Sequence, residues 1–303
     1  MLDWHDLQVF IVAAELENFS AAAHELHLSQ PAVTQRIQSL EKQLAVSLFD
    51  RQGRHVKLSE AGAYLLPKAK DLIRRCKRTE EMMHSLRNEV IGHLEIGCST
   101  TTGKYLLPPL MAHFCEKYPG VKATIRVGSR RRVLDLLAAN KVNLAFTSVM
   151  SPQRDIRYHR FIQDQVVLIA PQKHPWSQKE AIRPEDLLQE RLILREEGSG
   201  TYLAMKNALA RHDISVDELQ TVMTVGNSEA IILAVEEGIG VGFVPELAAK
   251  RCIRLGNIQI IPIVDMPMNH TIWMAENVMQ PATAAQLHFM KLLQAEGHLE
   301  RED

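Results

Sequence analysis

Phe19-Ser20-Ala21-Ala22-Ala23-His24-Glu25-Leu26-His27-Leu28-Ser29-Gln30-Pro31-Ala32-Val33-Thr34-Gln35-Arg36-Ile37 reads as two short helices meeting at a tight turn. Ser20 is placed to cap the first, Ala21 to His27, and its three alanines leave no bulk to hold a partner helix away. Leu28-Ser29 makes the turn. Ser29 caps the next helix, and Pro31 falls in its first turn, where a missing N–H costs nothing. Val33, Ile37, Leu40 and Leu44 then recur three and four apart and form an inward stripe. Upstream, Leu7, Phe10, Ile11 and Ala14 repeat at the same spacing and predict an earlier helix. Two helices joined by such a turn form a helix-turn-helix.

Opposite the apolar stripe stand Gln30, Thr34, Gln35, Arg36 and Gln38. Amide, hydroxyl and guanidinium groups of this kind read base edges and phosphates in a major groove. Polarity alone does not separate that reading from an ordinary solvated helix face. The longer pattern does: Phe19 to Ala23 and Leu26, Leu28 to Thr34 and Ile37, Leu40-Glu41, Leu44, Leu48-Phe49, Arg51, Arg54 and Leu58-Ser59-Glu60-Ala61-Gly62 resemble the LysR-type regulator signature almost position by position. Departures are small, with Ala45 where glycine is usual, Thr34 for serine and Ser59 for threonine. The resemblance implies that Gln30, Pro31, Thr34 and Arg36 approach double-stranded promoter DNA, and Ser29, Gln35 and Gln38 complete the expected DNA-binding face. It also implies that Arg51-Gln52-Gly53-Arg54-His55 is a hairpin wing whose Arg51 and Arg54 meet the backbone. Gly53 suits a tight hairpin independently.

From Ser59 the chain turns helical, with Leu65, Ala69, Leu72, Cys76, Thr79, Met83, Leu86 and Val90 at heptad spacing. A helix of that length reaches roughly 45 Å and needs a partner helix to cover its seam. Dimerisation through it is the expectation, with a homotetramer and contact with RNA polymerase implied by the resemblance only. Pro67 is expected to kink or begin the helix.

Beyond Gly92, short apolar strands alternate with helical stretches: Leu94–Cys98, Leu106–Lys117, Val121–Val127, Val133–Ala139 and Leu144–Phe146. A second set follows at Val166–Ala170, Leu192–Leu194, Tyr202–Arg211, Val222–Val225 and Glu229–Glu236. This predicts an α/β effector domain of two lobes with a largely parallel sheet. The strand Thr271–Met274 and the helix Thr283–Ala295 return to the first lobe, since the whole resembles the periplasmic-binding-protein fold that LysR proteins carry. The expected organisation is an all-α winged helix-turn-helix at 1–59, a linker helix at 60–90, lobe I at 91–163 with 268–303, and lobe II at 164–267.

Ligands of open α/β sheets bind beyond the strands' carboxyl ends, where helix N-termini present free N–H groups. Small hydroxyl residues fill those positions here: Ser99, Thr100, Thr101 and Thr102; Gly128 and Ser129; Thr147 and Ser148; Gly198, Ser199, Gly200 and Thr201; Asn227 and Ser228. Each loop taken singly is an ordinary helix cap. Together they suit a small anion, because each helix end carries about half a positive charge. Arg130, Arg131 and Arg132 either strengthen that field or sit on a solvated face or subunit contact.

The 303 residues, 46% hydrophobic and 23% charged with a net charge of −1, give no global sign of a nucleic-acid partner. Cys76, Cys98, Cys115 and Cys252 show no C-x-x-C pair, so no metal or redox motif is read, and Cys98 is a buried thiol or a sensor beside the first loop. No cofactor is expected beyond the small anionic effector. The Met1-Leu-Asp-Trp-His-Asp start carries acids where an export signal would carry bases, and a cytoplasmic protein without a membrane span is expected. An enzyme would need a nucleophile with its base, paired carboxylates or a metal site, and none is legible. A regulator with a degenerate pocket remains an alternative. A solute-binding protein would leave the first ninety residues without a role.

Overall fold

The computed structural model describes residues 2–52, 55–85, 89–151 and 153–299. The chain divides into two compact units, residues 1–87 and 88–303.

In the first unit, α1 (Trp4–Leu16), α2 (Phe19–Glu25) and α3 (Gln30–Leu44) close on a core of Phe10, Ala22, Val33, Ile37 and Leu40. Ala22 is fully buried, as the alanine run anticipated. The cap of α2 is Asn18, not Ser20: its side chain accepts from the amides of Ser20 and Ala21, at 2.8 and 3.1 Å. Asparagine is as good a cap as serine, and it lies two residues earlier. Ser29 caps α3 as expected. A hairpin of β1 (Phe49–Gln52) and β2 (His55–Leu58) follows, pairing Gln52 with His55. Its tip, Gly53 and Arg54, lies outside the described residues.

The helix α4 (Glu60–Ser85) contains Pro67 rather than starting at it. Its heptad divides by function. Ala69, together with Ile73, is buried in the first unit's core, and Leu65 packs against it. Leu72, Cys76, Thr79 and Met83 stay exposed, Leu72 at 43% and Met83 at 60%. Leu86 lies outside the described residues, and Val90 is not on the helix but packs on a core of the second unit.

In the second unit, β3 (Gly92–Cys98) pairs in parallel with β4 (Val121–Val127) and β5 (Leu144–Thr147). The helices α5 (Leu107–Lys117) and α10 (Ala284–Ala295) cover one face through Phe114 and Phe289, and α6 (Arg130–Ala138) covers the other through Val133 and Leu137. This is lobe I. In lobe II, β7 (Arg191–Arg195) pairs in parallel with β8 (Gln220–Val225) and β9 (Val241–Pro245). The helix α7 (Gly200–Ala210) packs on one face, and α8 (Ser228–Glu236) and α9 (Glu246–Leu255) on the other.

The lobes are joined by β6 (Ile156–Pro171), which pairs antiparallel with β11 (Asn269–Asn277) over its first half and with β9 and β10 (Ile258–Ile261) over its second. The sequence reading found only Val166–Ala170 of this strand, because the stretch before it is too mixed in polarity to read as buried. The sheet is therefore parallel within each lobe and antiparallel where the lobes join. The helix α9 and strand β10 went unread.

Between α3 and the hairpin, one Glu41 carboxylate oxygen accepts from the amides of Leu48 and Phe49, at 2.7 and 3.3 Å. Glu41→Ala leaves both donors unpaired. It is expected to cost the first unit about 1–3 kcal/mol, read as faster hydrogen exchange at α1 and α3, whereas unchanged exchange would show that the bonds are replaced.

Candidate functional sites

The helix-turn-helix presents one polar face. Ser29, Gln30, Pro31, Gln35 and Gln38 are exposed, and Thr34 and Arg36 are half-buried. Gln30 donates from Nε2 to Thr34 Oγ1 at 2.9 Å. Arg36 is committed in part elsewhere: its Nη1 donates to Asp6 Oδ1 at 2.8 Å, with Asp6 buried in the first turn of α1. Arg36 thus ties α3 to α1 while its side chain remains 41% exposed. The side chain of Arg51, like Arg54, lies outside the described residues.

The second unit holds a cavity of about 480 Å³ between its lobes. Lobe I contributes Ser99, Thr100 and Thr101 after β3, Gly128 and Ser129 after β4, and Thr147 and Ser148 at the end of β5. Lobe II contributes Gly198, Ser199, Gly200 and Thr201 after β7. The cavity brings these loops together as the carboxyl-end rule requires. Ser129 and Ser199 also cap α6 and α7, so the N-termini of these helices lie at the cavity wall. The Thr147 hydroxyl is taken up locally, donating to Val149 O at 3.1 Å.

Three expected residues are not on the wall. Thr102 is buried against Ser99, hydroxyl to hydroxyl at 3.0 Å. Asn227 caps α8 by accepting from the Ala230 amide, and the fully buried Ser228 accepts from Arg195 Nη1 at 3.3 Å. These residues hold the wall's supports rather than the wall. Arg130 and Arg131 do line the cavity; Arg132 does not figure among its lining residues.

The sequence reading missed Arg195, Glu196 and His270. Arg195 ends β7, so the same carboxyl-end rule would have found it. Its guanidinium is fixed by Glu196 through two 2.7 Å contacts and by Gly226 O at 3.2 Å, and it is a pre-oriented cation at the floor. His270 gave no sequence signal, since a lone histidine before a strand is featureless. It is buried, its Nδ1 has no hydrogen-bond partner, and burial first, then the nearby Arg195 charge, push its pKa down to about 4. Cys98 is buried with its thiol pushed up to about 12 by burial. It stays protonated, which removes it as a thiolate sensor.

Beside the cleft, a π-turn (Thr102–Leu106) between β3 and α5 touches lobe II. Lys104 Nζ lies 3.4 Å from Glu229 Oε1 on α8, and Tyr105 packs against the lobe II cluster that includes Ile231 and Val235. The first cleft loop is therefore continuous with an interlobe strut.

Comparison with known proteins decides the family. The model described as "Bacterial regulatory helix-turn-helix protein, lysR family" matches residues 4–63, and "LysR substrate binding domain" matches residues 87–297. The chain is a LysR-type transcriptional regulator. A probable RuBisCO transcriptional regulator of Trichormus variabilis is 33% identical over 274 residues, 89% of this chain and 81% of that one. The transcriptional activator CmpR of Synechocystis is 33% identical over 237 residues, 78% and 77% of the two chains. Among solved structures, full-length CbnR complexed with its target DNA shares the fold, with a TM-score of 0.70, 21% identity and coverage of 97% of this chain and 99% of that one. The Synechocystis CcmR regulatory domain in complex with 2-PG (2-phosphoglycolate) has a TM-score of 0.62 and 27% identity, covering 68% of this regulator and 97% of that chain. The regulator is not an enzyme, its C-terminal unit is an effector-binding domain, and none of its described helices is long and apolar enough to cross a membrane.

The depressed His270 pKa sets a pH dependence. Between 6.5 and about 4 the unfolded chain binds a proton there that the folded chain refuses, so the stability is present above pH 6.5 and lost as pH falls. The second unit is expected to lose about 2 kcal/mol between pH 7 and pH 5. Denaturant unfolding checks this: His270→Gln should flatten the dependence, and an equal slope in both proteins would place its origin elsewhere.

Proposed function

We propose that this regulator binds promoter DNA through α3 and senses a small anionic metabolite in its interlobe cleft. The observation that carries the second half is convergence: hydroxyl loops and helix N-termini from both lobes meet in one cavity with a pre-oriented Arg195 at its floor. Neutral donors and helix ends suit a carboxylate, sulfate-like or phosphate group. A volume of about 480 Å³ admits a metabolite of a few carbons with room for water. The 2-PG complex of a 27% identical regulatory domain and the RuBisCO regulators at 33% identity favour a phosphorylated or carboxylated compound of carbon assimilation. The effector residues in this reading are Ser99, Thr100, Thr101, Gly128, Ser129, Ser148, Gly198, Ser199, Gly200 and Thr201, with Thr147 supporting its own loop.

On the DNA side, Gln30, Thr34, Gln35 and Gln38 read base edges, Ser29 and Pro31 set the helix against the backbone, and Arg51 and Arg54 follow phosphates from the wing. Arg36 both braces α1 and offers its exposed part to a phosphate. The exposed Leu72, Cys76, Thr79 and Met83 seam of α4 takes a second copy, giving a dimer and, by pairing of dimers, a tetramer in the cytoplasm that works with RNA polymerase. The working divisions are 1–59 for DNA, 60–90 for dimerisation, and 91–163 with 268–303 and 164–267 for the two lobes. Anion binding favours one lobe arrangement over another, transmitted by the Lys104 and Tyr105 strut, and so respaces the paired DNA-binding units.

Thermal melting of the full chain against sulfate, thiosulfate, phosphate, 2-phosphoglycolate, short carboxylates and neutral sugars tests the cleft. A recognised anion at a hundred times its Kd should add about 2.7 kcal/mol, and Thr100→Ala should reduce that gain while leaving the unliganded melting temperature nearly unchanged. No shift with any anion would overturn the anion reading, and a shift with neutral sugars alone would replace it.

A further inference from the structure

We infer that His270 is an effector-contacting residue of the cleft, and that an anion seated beside it is bound together with a proton taken up by its imidazole. The inference rests on the anion reading of the cleft and adds to it a residue and a proton.

His270 is the second residue of β11, where that strand leaves lobe II and enters the lobe I sheet. It lines the cavity although only 7% of its surface is exposed. A Cβ added to Gly200, the first residue of α7, would come within 2.8 Å of its Nε2 and would overlap Ser148. The ring therefore lies beside Gly200 of lobe II, at the point where Ser148 of lobe I packs on that glycine. Its Nδ1 is buried without a hydrogen-bond partner, an arrangement that is costly and uncommon in a finished interior.

Burial first, and then the charge of Arg195, keep the ring neutral. From β7, Arg195 opposes its protonation. From β6, its cross-strand partner is Asp164, whose Oδ2 is likewise buried without a hydrogen-bond partner and whose pKa is raised by burial. Around Asp164, the amides of Gln165 and Leu247 and the Lys250 cation favour its charged form, and Glu246 opposes it. Ser148 and Gly200 add no charge. An anion entering this space cancels the field of Arg195 and supplies the missing counter-charge, so the balance that keeps the imidazole neutral is reversed. The proton comes from solvent, at most one per site. Affinity must then fall as pH rises through the bound-state pKa, by up to about tenfold per pH unit.

Isothermal titration calorimetry of the full chain at pH 6.5, in two buffers of different ionisation enthalpy, counts the protons. The probes are 2-phosphoglycolate and sulfate, the latter because its own charge is constant in this range. Wild type is expected to take up a fraction of a proton with either probe, and to bind sulfate about three- to tenfold more tightly per pH unit lowered between 7.5 and 5.5. In His270→Gln the uptake with sulfate should vanish and the affinity should become independent of pH. Saturable sulfate binding by wild type with no proton uptake, or equal uptake in the variant, overturns the role of His270 and leaves the anion cleft standing. Failure of wild type to bind either probe fails the cleft reading, and the inference falls with it. If His270→Gln does not fold, His270→Asn replaces it under the same criteria, and the absence of uptake by wild type with sulfate overturns the role of His270 by itself.

Discussion

The effector unit depends on one strand that belongs to two lobes. The sixteen residues of β6 pair with β11 at one end and with β9 and β10 at the other. Both lobes are thus extensions of a single backbone ladder. Because the parallel strands of each lobe end at the cleft, the loops after β3, β4, β5 and β7 face one space without any long-range side-chain design.

The cleft's electrostatics are moderate rather than strong. Arg195 is paired with Glu196, so most of its charge is balanced before any ligand arrives. The remaining attraction is distributed over the N-termini of α6 and α7 and their capping serines. On the proposed reading, such a site favours negative charge without a large desolvation cost for the protein and leaves discrimination among anions to shape and to His270. The Lys104 and Tyr105 contacts with lobe II lie within a few residues of the first cleft loop.

Much of this was legible in the sequence because it rests on local rules. The helix-turn-helix follows from apolar spacing at Val33, Ile37 and Leu40 and from the Ser29 cap, and the hydroxyl loops follow from where strands end. What stayed illegible is long-range. The Asp6 bond that occupies part of Arg36 joins residues thirty positions apart. The first half of β6 carries Arg157, His159, Gln163 and Asp164 and is strand only because β11 pairs with it. The heptad on α4 mixed two environments: Leu65 and Ala69 serve the unit's own core, which no periodicity separates from the exposed seam beyond Leu72. His270 has no local signature, since its importance comes from what α7 and β5 bring beside it.

The proposed function couples the effector-binding unit to the DNA-binding unit, so its most direct test is a footprint. DNA bound by the full chain would be selected from a random-sequence pool, and hydroxyl-radical cleavage compared with and without the anion that most raises the melting temperature. The account predicts two protected half-sites about one helical turn, or a multiple of it, apart, whose spacing or extent changes when the anion is added. An identical pattern with the cleft saturated would contradict it.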